Sequence, residues 1–196
     1  MAQRLLVIAH GRAGSAGDPV FGDRSPLAAG VTVGPVEGRF QRWVCGPETA
    51  CGETALLLAR GEEAHVIPEL AGPDLGRWTG STLSTIARQD PDGLRSWLTD
   101  PDAAPHGGES LSRTAVRVGA AVDDMDWPEG RTAVVVSPAV ARLLALHAIG
   151  GTPALAFRLD VRFGGRFELS AAGRAGTGGS GAGGIGAGRG WRLLLG

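Results

Sequence analysis

The chain contains no lysine, no asparagine and no tyrosine, and its 196 residues include only two cysteines. With lysine absent, all 19 basic residues are arginine, set against 20 acidic ones. The resulting formal net charge of -1 excludes the basic footprint of a nucleic-acid binder. The missing residue types read as codon bias of a GC-rich bacterial genome, such as an actinomycete's, and not as physical selection. Cys45 and Cys51 are too few for a disulfide framework, and the simplest reading is two reduced, partly buried thiols. No run approaches the roughly 18 apolar residues of a membrane span. The opening MAQRLLVIAHG also lacks the pattern of a cleaved signal, so a cytoplasmic protein without membrane attachment is expected. There is no HExxH, no paired CxxC and no HxH, so neither a metal nor an organic cofactor is expected.

What is present organises into short apolar runs alternating with helical patterns, which argues for an α/β sandwich. At 43% hydrophobic the chain is long enough for a substantial core, and a single domain over residues 1–196 is expected. Residues 4–9 and 131–136 are continuous apolar stretches, as in buried central strands; 42–45 and 65–67 are shorter strand candidates. Helices are expected over 47–60, 110–124 (with Ser110 or Ser112 as cap) and 138–149, the last stopped by Gly150 and Gly151. Residues 76–98 carry a Trp-rich turn and two short helices. The stretch at about 171–190 is Gly-rich and separates two strand-like pieces, as a flexible hairpin loop would. Its Gly179, Gly181 and Gly184 match GxGxxG, but no helix can follow, so the match carries no dinucleotide site. The five tryptophans are scattered and read as core and rim packing. His65 and His147 read as satisfied core histidines.

Five segments, in order, carry a resemblance: RLLVIAHG ending at His10 and Gly11; GPETACGETA (46–55); LGRWTGSTLSTIA (75–87), running on to PHGGES; VVVSPAVARLL (134–144); and FRLDV (157–161). Together they resemble the histidine phosphatase (phosphoglycerate mutase-like) superfamily, in a bacterial branch. The resemblance implies a three-layer α/β/α sandwich with a mostly parallel central sheet. It also implies a phosphohistidine reaction: a histidine ending the first strand attacks phosphorus, a carboxylic acid protonates the leaving oxygen, and two arginines and a second histidine hold the phosphoryl oxygens. Forked cations suit that charge distribution.

Set against that pattern, the motifs here are degenerate. His10 keeps the nucleophile position, but Ala9 and Ala50 stand where the two arginines belong, Gly72 where the acid belongs, and Ser137 where the second histidine belongs. A charge-assisted contact contributes roughly 1.5–3 kcal/mol. Losing three cationic donors removes on the order of 5–9 kcal/mol, which is roughly four to six orders of magnitude in rate. Glu48 beside the emptied positions repels phosphate further. The expectation is therefore a cofactor-independent small-molecule enzyme of isomerase, cyclase, lyase or hydrolase type in a biosynthetic pathway. His10 would serve as acid or base, with Asp74 and Glu109 as catalytic companions. Arg12, Asp23, His106 and Ser137 join Ala9, Glu48, Ala50 and Gly72 as pocket candidates, with a structural role in its turn as the alternative for His106. The emptied positions imply a larger, less polar cavity. The alternative is a noncatalytic pseudophosphatase that binds a metabolite or protein partner. The third reading is residual phosphomonoesterase activity through His10, with Arg12 restoring positive charge. A small-molecule ligand is the expected partner, and a homodimer is compatible with the sequence. One further departure is residues 27–38, which Gly30, Gly34 and Pro35 break where the family has a helix.

Overall fold

The computed structural model describes residues 2–14, 17–171 and 189–194. Its centre is a six-stranded sheet in the order β3-β2-β4-β1-β5-β6. Strands β1 (Gln3–Ala9), β2 (Arg42–Cys45), β3 (His65–Val66) and β4 (Gly130–Val136) run parallel, while β5 (Arg166–Ala171) and β6 (Arg192–Leu194) close one edge antiparallel. The apolar runs read from the sequence are the two central strands, and β1 pairs with β4 from Gln3↔Gly130 to Ala9↔Val136. The β5–β6 pairing is the expected hairpin; the Gly-rich stretch that joins it lies outside the described residues. The edge strand β3 is shorter than expected, and His65 on it is exposed instead of buried. Edge strands are covered on one side at most, so a histidine there finds water.

Alternate residues of β1 face opposite layers. Leu5, Val7 and Ala9 pack with Val134 and Val136 against helices α4 (Leu111–Asp124) and α5 (Pro138–Ile149). Leu6 and Ile8 pack with Ala133 and Val135 against Cys51, Ala55 and Ala59 on the other face, where α1 (Thr49–Leu58) lies. These are the three layers of the α/β/α sandwich. Ser110 caps α4 by accepting from Arg113 N, and α5 stops at Gly150, which takes the left-handed conformation at φ 66°. The Trp-rich region holds α2 (Leu83–Gln89) and α3 (Pro91–Thr99), with Trp78 buried between Phe21, Trp97 and His106. Trp43, Trp127 and Trp191 are buried too, which bears out packing as the role of most of the tryptophans.

Residues 27–38 form no helix, as the glycines and proline foretold. They run irregularly over the end of β1: a Cβ on Gly11 would stand 2.9 Å from Val31 Cγ1 and 3.0 Å from Leu27 Cδ2 and Val33 Cγ2. Glycine at position 11 is what lets this segment lie so close to the residue after His10.

Candidate functional site

The parallel strands end together at one edge of the sheet, where α/β folds place their ligand crevices. His10 leaves the end of β1 there, with its backbone N–H bonded to Val136 O at 2.9 Å and its carbonyl accepting from Gly164 N at 3.1 Å. The residue is 7% exposed. Its Nδ1 lies 2.6 Å from Gly11 O. A carbonyl only accepts, so Nδ1 is the donor in this contact. The Phe163 ring, with its centroid 5.5 Å from that of His10, braces the other side, and Arg12 lies over Phe163 at 5.9 Å.

Gly11 is fixed in turn by Thr54, which the sequence reading did not single out. Thr54 is fully buried; its Oγ1 accepts from Gly11 N at 2.9 Å and donates to Ala50 O at 2.6 Å. Thr54→Val leaves a buried amide N–H without an acceptor, for an expected loss of about 1–3 kcal/mol. Denaturant unfolding reads this directly, and a loss under about 0.5 kcal/mol would mean that Gly11 is held some other way.

His10 opens on a cleft of about 1400 Å³. Of the residues expected around it, Arg12, Asp23, Glu48, Gly72, Asp74, Glu109 and Ser137 line that cleft. Three do not. Ala9, the last residue of β1, is fully buried in the core, Ala50 is 2% exposed inside α1, and His106 is 2% exposed against Trp78. The methyl groups of the two alanines thus form no part of the cleft lining. The breadth of the cleft comes from the loops over it, among them 17–25 and 71–75.

His106 is a packing residue. Its Nδ1 accepts from Gly108 N at 3.1 Å, and its ring meets Trp78 edge-on at 5.1 Å. Burial lowers its pKa, and the nearby Arg77 adds to this while Asp74 opposes it, so the ring stays neutral. The GxWxG turn and the PHGGES run, distant in sequence, prove to be one unit here: Glu109 N donates to Asp74 O at 2.7 Å, and Arg77 N donates to His106 O at 3.0 Å.

The two expected catalytic companions of His10 are otherwise engaged. Asp74 is exposed and its Oδ1 accepts from Gly76 N at 2.9 Å, a local turn bond. Glu109 forms a forked pair with Arg117, at 3.0 Å from Nε and 2.6 Å from Nη2. Burial would raise the Glu109 carboxyl pKa, but the Arg117 hydrogen bonds and charge outweigh it and hold the group below the usual carboxylate range. Ser137 caps α5, accepting from Val140 N at 3.3 Å. Among the described residues the bond of the His10 side chain is to Gly11 O, and none joins it to Asp74, Glu109 or Ser137.

Arg142, also not foreseen, lines the cleft from the second turn of α5; it donates to Pro138 O at 3.2 Å and Ala156 O at 3.4 Å. Burial lowers its pKa and Asp160 counters this. Both thiols are free and buried, and burial followed by the Glu48 charge pushes each upward, so they are protonated. Among the described residues no three His, Cys, Asp or Glu side chains gather as a metal site, and no helix is long and apolar enough to cross a membrane.

Comparison with known proteins agrees with this architecture. A bifunctional protein of Mycobacterium tuberculosis is 31% identical over 147 residues, covering 68% of this chain and 40% of that one. The chain thus spans well under half the length of that relative, and an uncharacterized protein of Mycobacterium bovis matches to the same extent. Among solved structures, a mycobacterial hydrolase aligns at a TM-score of 0.76 with 21% identity over 98% of this chain and 97% of that one. A mycobacterial glucosyl-3-phosphoglycerate phosphatase aligns at 0.74 with 20% identity over 98% and 97%. At such identities these two neighbours speak for the fold. Residues 34–175 match the family described as histidine phosphatase superfamily (branch 1), and the chain belongs to that family.

Proposed function

We propose that this protein is a cofactor-independent small-molecule enzyme built on the histidine phosphatase fold, in which His10 works as acid or base and not as a phosphoryl acceptor. The observation that carries the reading is the pairing of a prepared histidine with an unprepared phosphate site. His10 is buried, and its Nδ1 is tied to Gly11 O so that Nε2 is the ring nitrogen left without a hydrogen bond among the described residues. Around it, the positions that resemblance assigns to phosphate binding hold core alanines at 9 and 50 and a helix-capping serine at 137. Nothing at those positions offers a forked cation to an equatorial oxygen. A cleft of about 1400 Å³ has room for a ligand larger than a simple phosphomonoester.

The reading is tested with non-phosphorylated compounds: a panel of esters, lactones and hydroxy acids, followed by hydrolysis and by proton exchange in deuterated water. Turnover that drops about 10²–10⁴-fold in His10→Ala is the expected result for a general acid–base. Turnover unaffected by that substitution contradicts it. One observation favours the second reading, a noncatalytic pseudophosphatase that binds a metabolite: no carboxylate partners the His10 ring among the described residues. Tight binding of a metabolite by wild type and His10→Ala alike, with no turnover, is the signature of that alternative.

A further inference from the structure

The residue that departs furthest from the behaviour of its position is Glu48. It stands at the N-cap of α1, where a side chain ordinarily turns back onto the helix, yet it makes no capping bond. It reaches instead across the cleft wall. Oε1 accepts from Gly72 N at 2.6 Å, and Oε2 lies 3.5 Å from the Cys51 thiol, which donates. Two glycines leave room for it: a Cβ at Gly46 would stand 2.7 Å from Oε2, and one at Gly72 would stand 3.2 Å from Oε1 and 3.6 Å from Ser137 Oγ. The carboxylate is therefore held at a fixed place in the cleft, against Gly72 and in the same cavity as His10 and Ser137.

No arginine or histidine among the described residues forms an ion pair with it. Arg117, which touches Gly72 from the other side, is taken up by Glu109 and by the carbonyls of Glu69, Ala71 and Gly72. Glu48 thus sets a carboxylate without an ion-pair partner against Gly72, the position that the resemblance assigns to the acid.

We propose that Glu48 receives a cationic group of the ligand, a primary ammonium or guanidinium, in the cleft on which His10 opens. The proposal deepens the functional reading above, since it places that ligand's charge in the same cleft, but its test does not depend on catalysis. Calorimetric titration with benzylammonium, benzyl alcohol and phenyl phosphate compares one ring with three charges. Wild-type protein is expected to bind benzylammonium at least about tenfold more tightly than either of the others, and to lose that preference as salt rises. Glu48→Gln keeps an acceptor for Gly72 N and removes the charge, so the preference is expected to vanish there. His10→Ala is expected to retain it, which separates failure of this proposal from failure of the acid–base reading. Equal affinity for the three compounds, preference for phenyl phosphate, no binding of benzylammonium, or a preference that survives in Glu48→Gln would overturn the proposal. Should Glu48→Gln fail to fold, the salt dependence and the charge series on wild-type protein decide alone.

Discussion

Gly108→Ala is expected to destabilise the protein by about 3 kcal/mol, the upper end of what overpacking does. A Cβ at Gly108 meets the Asp74 carbonyl oxygen, with the Asp74 carbonyl carbon and Gly76 N at 2.8 Å; reciprocally, a Cβ at Gly76 meets the His106 carbonyl oxygen. These are backbone atoms, fixed by the bonds from Glu109 N to Asp74 O and from Arg77 N to His106 O, so no side chain can swing aside. Gly76 also has φ 46°, which adds strain to any substitution there. For a chain of this length the loss corresponds to a fall in melting temperature of roughly 6–12 °C. Thermal unfolding of Gly108→Ala checks it, and a fall under about 3 °C would mean that the two motif segments are not locked together as described.

Arg117→Ala is the second large effect. The guanidinium joins Glu109 to three backbone carbonyls of the 69–72 segment, and the side chains of the pair are only 28% and 17% exposed. Removing it leaves a half-buried carboxylate and several acceptors unpaired, for an expected loss of about 2–4 kcal/mol at neutral pH. The loss depends on pH with a definite sign. Glu109 has its carboxyl held below the ordinary value in the folded state. The stability this contributes is complete above the unfolded value of about 4.3 and disappears as the pH falls through the folded one. The gap between wild type and Arg117→Ala should therefore be larger at pH 7 than at strongly acidic pH. Denaturant titrations at several pH values measure it, and a gap independent of pH would show that Arg117 acts through packing alone.

The core was legible because its signal is local. Residues 4–9 and 131–136 are unbroken apolar runs, and only a central parallel strand buries both faces of such a run. The cap at Ser110 and the stop at Gly150 are likewise fixed by neighbours a few residues away. The site was legible in part. The place of His10 at the end of β1 follows from motif order, and most of the named residues do line the cleft. What was not legible depends on contacts between distant segments. Nothing near Ala9 or Ala50 in sequence tells that core packing covers them, and a carboxylate at 109 does not announce that Arg117 will hold it. Glu48 was read as a residue that repels phosphate; that it crosses to Gly72, twenty-four residues on, needs the fold. His65 was misjudged because a strand pattern does not distinguish an edge from a centre.

The proposed function turns on whether the chain hydrolyses phosphate esters. The direct measurement is hydrolysis across a broad panel of phosphate esters, with His10→Ala as the control. With Ala9, Ala50 and Ser137 at the positions that the resemblance assigns to cations, and Glu48 lining the same cleft, wild type and His10→Ala are expected to be equally inactive. Hydrolysis by the wild type that disappears in His10→Ala would contradict the account, and would assign phosphate binding to Arg12 and Arg142, the arginines that line the wall beside Phe163.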